Sequence, residues 1–237
     1  MPNTLFLRLE GPLQSWGERG QWGVRDSAPE PTKSGIVGLL GCALGWRDDE
    51  ALRGLSDAIR IAVRCDRPGI LLTDYHTVGG GYDIPQLLEA RGKPKWTPGG
   101  EPHTELTWRD YLCDASFLVV VQGAGELIAQ LAAAVREPVW PVYLGRKACV
   151  PSVPIYEGEG DAGSPDEALR RPWRSDRLST AETLPVRAVI EVSRSEGVRR
   201  PHRFGSRSRR PHGFIYMTDR LFEVERRPLI AEEEGMS

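Results

Sequence analysis

The sequence predicts an α+β fold, and three observations lead to that prediction. Apolar residues alternate in the first segment, as they do in a β-strand, whereas two later segments have the apolar spacing of helices. The predicted elements follow one another in the order β-α-β-β-α-β, which is the split βαβ, or ferredoxin-like, order. The chain has 237 residues, of which 40% are hydrophobic and 27% are charged, so it is long enough to bury such a core.

The first part of the predicted core consists of one strand and two helices. Alternating leucines predict a strand over 4–10, which Gly11 and Pro12 end. Ser34 is a candidate N-cap for a buried helix over 35–44. A second helix is predicted over 48–59, since its first turn is acidic and so suits the helix dipole.

The middle of the chain predicts strands around a long insertion. Two strands, 60–65 and 70–78, are joined by the turn sequence at 66–69, and β character resumes over 104–121. Between them, residues 79–103 contain six glycines and four prolines and show little periodicity. A segment of that length without regular structure inside a compact domain is commonly functional, so we expect a protrusion here.

The last third of the chain predicts one helix followed by loop and strand. An Ala- and Leu-rich helix is expected over 126–135, and 139–144 is a candidate strand that would complete the ferredoxin-like order. Residues 151–177 are rich in Pro and Gly and predict a loop. Three further apolar segments predict a small β-rich annex at 184–192, 213–217 and 221–226.

Composition excludes several classes of protein. The longest apolar stretch, Ile36 to Trp46, is too short to span a bilayer, and the first residues lack the pattern of a signal peptide. The four cysteines form no C-x-x-C pair, so neither a zinc knuckle nor a disulfide framework is predicted. We therefore expect a soluble cytoplasmic protein with no metal, no other cofactor and no membrane contact.

The net charge of −2 conceals an arginine-rich segment near the C-terminus. Residues 194–210 contain seven arginines and one acid, together with His202 and Phe204. Arginine donates paired hydrogen bonds to phosphate, and aromatic side chains stack on unpaired bases. The segment is either part of a nucleic-acid interface or a solvated loop, and its composition fits both.

The start of the first predicted helix is one candidate anion site. Lys33 and Ser34 lie beside the free backbone N–H groups of that helix, which favour an anion. The spacing is not that of a phosphate-binding P-loop, and an ordinary helix cap explains the same two residues.

A second candidate anion site is the turn at 143–147. Tyr143 offers a stacking surface, and Gly145 allows a backbone to approach a phosphate closely. Arg146 and Lys147 supply positive charge.

Among the four histidines, His76 is the best candidate for catalysis. A metal-free ribonuclease needs a base, an acid and a cation around one phosphate. A structural position in an alternating strand explains His76 more simply, and no G-x-S-x-G, H-E-x-x-H or G-x-G-x-x-G motif occurs. The spacing of residues therefore indicates no enzyme.

Six motifs occur in the order, and with nearly the spacing, of one known family. They are Gly11–Gly17, Pro31–Gly41, Ala62–Asp66, Asp74–Val78, Thr107–Phe117 and Tyr143–Lys147. Together they resemble the fifth family of CRISPR-associated (Cas) proteins, in its type I-E branch. The resemblance covers roughly residues 4–155 and is thin beyond Pro151.

The resemblance implies both a fold and a function. Members of the family belong to the RAMP superfamily, with an RRM-like ferredoxin core, a glycine-rich loop and a β-hairpin thumb. They bind the repeat-derived 5′ handle of the mature CRISPR RNA (crRNA) within the surveillance complex Cascade. They cap its filament of CasC backbone subunits, contact the large subunit CasA and meet target DNA only indirectly. In the type I-E branch the subunit is regarded as non-catalytic.

The resemblance also assigns regions and residues. It implies a RAMP domain over 1–150, with 79–103 as the thumb, and leaves 151–237 as the annex that carries the arginine-rich loop 194–210. The residues that it implies for RNA binding are Gln14, Lys33, Ser34, Trp108, Arg109, Tyr143, Gly145, Arg146 and Lys147.

Two alternatives remain open. The first is a metal-independent endoribonuclease that processes precursor crRNA, with His76, Tyr75 or Tyr143, and Lys147 around the scissile phosphate. The second is a ferredoxin-like protein that binds a small anionic ligand at the helix start formed by Lys33 and Ser34.

Overall fold

The computed structural model describes residues 1–18, 23–82, 86–175, 178–202 and 213–229. The fold is a sheet-dominated α+β fold with few helices, which confirms the predicted class. Residues 203–210 of the arginine-rich loop lie outside the described residues. In chain order the elements are β1 Thr4–Gln14, β2 Val24–Arg25, α1 Lys33–Leu44, α2 Asp49–Ala58, β3 Arg60–Arg67, β4 Ile70–Gly79, β5 Thr104–Gln122, α3 Gly125–Arg136, β6 Tyr156–Gly160, α4 Pro165–Ala168, β7 Trp173–Ser175, β8 Glu182–Val192, β9 Val198–His202 and β10 Gly213–Pro228.

The strands belong to one sheet in which β5 makes the most strand pairs. The main strand order is β6-β1-β5-β3-β8-β10-β7, while β2 and β4 join β5, and β9 joins β10. β1 and β3 pair with the C-terminal half of β5, and β2 and β4 pair with its N-terminal half. Since β6 pairs with β1 and β8 pairs with β3, the strands after residue 150 extend the sheet formed by the strands before it.

The first strand is buried on both faces, so the sheet has a core on each side. Leu5, Leu7 and Leu9 are fully buried and belong to the cluster that includes residues of α1 and α3. Phe6 faces the other side and belongs to a second cluster with Trp173. The alternating leucines in the sequence account for the first core only.

Buried charges tie β1 and β3 together on the second side of the sheet. Arg64 Nε donates to Asp66 Oδ1 at 2.6 Å, and Arg8 Nη1 donates to Asp66 Oδ2 at 2.5 Å. The Arg8 Nε also donates to Glu157 at 2.9 Å. Burial lowers the pKa of Arg8, but the charges of Asp66 and Glu157 outweigh this and raise the pKa. Arg8 is therefore charged, and removal of one partner leaves buried charge uncompensated.

The start of α1 differs from its prediction by two residues. The side chain of Thr32 accepts a hydrogen bond from the backbone N of Gly35 at 3.2 Å, so Thr32 is the N-cap and Ser34 lies in the first turn. The second helix agrees closely with its prediction. Asp48 caps it through the backbone N of Ala51 at 2.9 Å.

Two predictions for the later chain are wrong. Residues 139–144 form no strand, since Pro141 lacks the N–H that a ladder requires, and β6 at 156–160 pairs with β1 instead. The predicted loop over 151–177 contains β6, α4 and β7. In the described parts of the chain, no helix is long and apolar enough to cross a membrane.

Candidate nucleic-acid interface

Several predicted site residues meet where β5 is flanked by β2 and β4. Val24 and Arg25 of β2 lie beside Trp108 and Arg109 of β5, and Tyr75 of β4 lies opposite Trp108. Consecutive residues of a strand point to opposite faces, whereas paired residues share one face. The junction therefore has an aromatic face, formed by Val24, Tyr75 and Trp108, and a basic face, formed by Arg25 and Arg109.

The aromatic face is open to solvent. Tyr75 is 55% exposed and Trp108 is 42% exposed, and their rings meet edge to face with centroids 5.6 Å apart. Leu106, two residues before Trp108, adds an exposed apolar side chain to the same face. Exposed aromatic rings on a strand can stack with unpaired bases.

The basic face holds Arg109 in a partly buried position. Its Nε donates to Thr107 Oγ1 at 3.4 Å, and Asp74 lies opposite it on β4. Trp108 and Arg109 are neighbours in the sequence, yet they point to opposite faces of the hairpin. Side chains alternate between the two faces along a strand, so the predicted strand alone already implies that Trp108 and Arg109 point to opposite faces.

The turn at 143–147 packs against the end of β1. The backbone N of Ser15 donates to the carbonyl oxygen of Leu144 at 3.0 Å. Gly145 has φ of 92°, and a Cβ on this residue would lie 1.7 Å from the carbonyl oxygen of Ser15. Gly145 is thus required by the approach of two backbones within the protein. Tyr143 is half-buried and Lys147 is exposed.

Arg146 connects this turn to the basic face. Its Nη2 donates to the carbonyl oxygen of Arg25 at 2.9 Å, and its guanidinium lies 4.7 Å from the ring centroid of Tyr111. Arg25 is exposed, and sequence reasoning missed it. No local signal marks Arg25, because its position depends on a two-residue strand that pairs with Arg109 far along the chain.

Two other predicted site residues are buried and bonded within the protein. The Gln14 Nε2 donates to the carbonyl oxygens of Leu9 at 3.0 Å and Ala115 at 2.9 Å, and its Oε1 accepts from Trp16. Gln14 therefore joins the strands, and its predicted contact with RNA stays a prediction.

The Lys33 side chain also forms hydrogen bonds within the protein. Its Nζ donates to the carbonyl oxygen of Ile59 at 3.0 Å and to the carboxylate of Glu191 at 2.6 Å. The Oγ of Ser34 lies 3.4 Å from the Oγ1 of Thr32. Because the Lys33 charge is already paired, this geometry gives no support to a small-anion site at the helix start.

Two of the catalytic candidates, Tyr75 and His76, lie on opposite faces of β4. Tyr75 and His76 are consecutive on β4, so their side chains point to opposite faces. The buried His76 Nδ1 has no hydrogen-bond partner among the described residues, so no described group orients the ring through that nitrogen. Within that same part of the chain, no cluster of His, Cys, Asp and Glu side chains could hold a metal ion.

Comparison with known families shows which family the chain belongs to. Residues 4–218 match the family model described as CRISPR-associated protein (Cas_Cas5). Since the match covers most of the chain, the protein belongs to this family of CRISPR-associated proteins.

Individual relatives give a closer comparison. The chain is 39% identical over 175 residues to the "CRISPR system Cascade subunit CasD" of Escherichia coli (strain K12), covering 71% of this chain and 76% of that protein. A chain of a solved "CRISPR RNA-guided surveillance complex" matches with a TM-score of 0.75 and 33% identity, covering 94% of this chain and 91% of that one. A "Crystal structure of Cas protein" matches with a TM-score of 0.65 and 33% identity, covering 93% and 95%.

Proposed function

We propose that this protein is a subunit of a type I-E CRISPR surveillance complex, Cascade. In this role it binds the 5′ handle of mature crRNA, caps the filament of CasC subunits, contacts CasA and supports RNA-guided recognition of foreign DNA in the cytoplasm. The observation that carries the proposal is the similarity to CasD, together with the structural match to a chain of an RNA-guided surveillance complex.

The junction of β2, β4 and β5 supports RNA binding. Single-stranded RNA is recognised by stacking of its bases and by positive charge along its backbone. We assign base stacking to Tyr75 and Trp108, and phosphate contacts to Arg25, Arg109 and Lys147. Tyr143, Gly145 and Arg146 shape the turn beside these residues, while Gln14, Lys33 and Ser34 position β1 and α1.

The fold supports a RAMP-type core over 1–150 whose fourth strand, β6, comes from the segment that follows residue 150. β6, β1, β5 and β3 lie side by side and antiparallel, with α1 after β1 and α3 after β5, which is the ferredoxin-like order. β4 and β5 form a long hairpin, and residues 79–103 at its tip are our proposed thumb. We assign 151–237 to a C-terminal annex that adds strands to the same sheet.

Loss of a phosphate contact tests the proposal. Handle RNA with a fluorescent label is titrated with the full-length protein, and the dissociation constant is measured by anisotropy. Arg109→Ala should raise the dissociation constant about 10- to 150-fold, as expected for a charged hydrogen bond worth about 1.5–3 kcal/mol. Arg60→Ala is the matched control, because Arg60 of β3 is exposed and lies opposite Gln122, at the other end of β5 from Arg109. Equal affinity of the Arg109 variant and the control would remove Arg109 from the interface.

We further propose that the subunit does not cleave RNA. The placement of Tyr75 and His76 on two faces of β4 supports this view for that pair, since acid and base must reach one phosphate. Incubation of the purified protein with repeat RNA in EDTA should leave the RNA intact. Cleavage that is lost in His76→Ala would instead establish the endoribonuclease alternative.

A further inference from the structure

A groove of about 680 Å³ opens on the sheet where β8 separates from the β3–β4 segment. β8 pairs with β3 only between Ala62 and Arg64, so its first half, 182–187, has no strand partner on that side among the described residues. Pro68 and Leu71 line one side of the groove, and residues 184–187 line the other side.

The outer edge of β4 borders this groove and lacks the usual protection of an edge strand. β4 pairs with β5 along its whole length, and the described part of the chain supplies no strand to its other edge. It contains no proline, and Asp74 is its only Asp, Glu, Lys or Arg residue. Ile70, Leu71 and Leu72 are 76%, 58% and 48% exposed. Natural proteins usually block such an edge with charge, proline or a covering element, so a long, apolar, open edge marks a place where another strand binds.

The charges of the groove favour a polypeptide over a nucleic acid. Arg187 is paired with Glu30 at 2.9 Å and with Asp219 at 2.5 Å, and Arg226 Nη1 is paired with Glu182 at 3.0 Å. Phosphates would have to displace these carboxylates.

We infer that an extended apolar segment of a neighbouring protein subunit docks in this groove. The segment adds a strand to the outer edge of β4, so that backbone hydrogen bonds hold it, and it places an apolar side chain against Leu71. The inference rests on the proposed function, since it requires an assembly in which this protein has a protein neighbour.

Hydrogen–deuterium exchange tests the docking on the intact assembly. The complex is purified from its host, and exchange is compared between the free protein and the same protein in the complex. We expect slower exchange at residues 70–72 and 182–187, which lie away from Tyr75, in the complex before and after RNase treatment. Leu71→Lys should reduce the share of the protein retained in the complex about tenfold, since it places a charge in an apolar contact. Val139→Lys is the control, because Val139 is similarly exposed, at 63%, on the loop after α3.

The outcomes separate this inference from the proposed function. Handle binding by free Leu71→Lys should equal that of the wild-type protein, and its melting temperature should be unchanged. Unchanged exchange at both segments, with normal retention of Leu71→Lys, would overturn the docking site and leave the proposed function intact. Protection that disappears with RNase would also overturn it, because the occupant would be RNA. Failure of the wild-type protein to join any complex or to bind the handle would overturn the proposed function itself.

Discussion

Gly145→Ala should displace the turn that carries Arg146 and Lys147. The added Cβ would lie 1.7 Å from the Ser15 carbonyl oxygen, whereas ordinary contact begins near 3.4 Å, so the two backbones must separate by about 1.7 Å. A displacement of that size is enough to break the bond of 2.9 Å from Arg146 to the carbonyl oxygen of Arg25. Alanine at φ of 92° adds about 1–2 kcal/mol of strain, which further favours a rearranged turn.

The assay for this variant is anisotropy of labelled handle RNA together with thermal unfolding. Loss of one charged contact should weaken binding by about 1.5–3 kcal/mol, or roughly 10- to 150-fold. The control is Gly54→Ala on α2, where a Cβ meets no described atom within 4 Å. Wild-type affinity in a folded Gly145→Ala protein would refute the argument that this turn must approach β1 closely to bind RNA.

Two further predictions concern stability and titration. Asp66→Ala removes the shared partner of two buried arginines, Arg8 and Arg64, and should lower the free energy of unfolding by about 3–5 kcal/mol. In thermal unfolding, the melting temperature should fall by about 6 °C or more. A melting temperature within about 2 °C of the wild type would contradict this prediction. Hydrogen bonds from Lys95 and then from His103 lower the pKa of Glu105 below its ordinary 4.5. The contribution of Glu105 to stability is therefore present above pH 4.5 and is lost as the pH falls through the lowered folded value. NMR titration should show a higher pKa for Glu105 in the Lys95→Ala protein, and an unchanged value would show that Lys95 has no influence.

Local sequence patterns predicted the elements that depend on local interactions. Alternating leucines identified β1, and the acidic first turn identified α2 within one residue at each end. The predicted strand at 139–144 was wrong because the prediction relied on apolar composition. Pro141 has no backbone N–H to donate to a neighbouring strand. In each case the deciding interaction lies within a few residues in the chain.

Local sequence patterns do not predict contacts between residues that are far apart in the chain. The amide of Gln14 donates to the carbonyl oxygen of Ala115, and the ammonium group of Lys33 is paired with Glu191. Both partners are about a hundred or more residues away, so neither residue type nor spacing identifies them. The role of Arg25 depends on the same kind of distant pairing with β5.

The most direct test of the central claim is the identity of the RNA that the protein carries. The tagged protein is purified from its host, and the 5′ ends of any bound RNA are sequenced. The account predicts one fixed 5′ end within CRISPR repeats, with other Cascade subunits present in the same material. Purified protein that carries neither such RNA nor those subunits would contradict it.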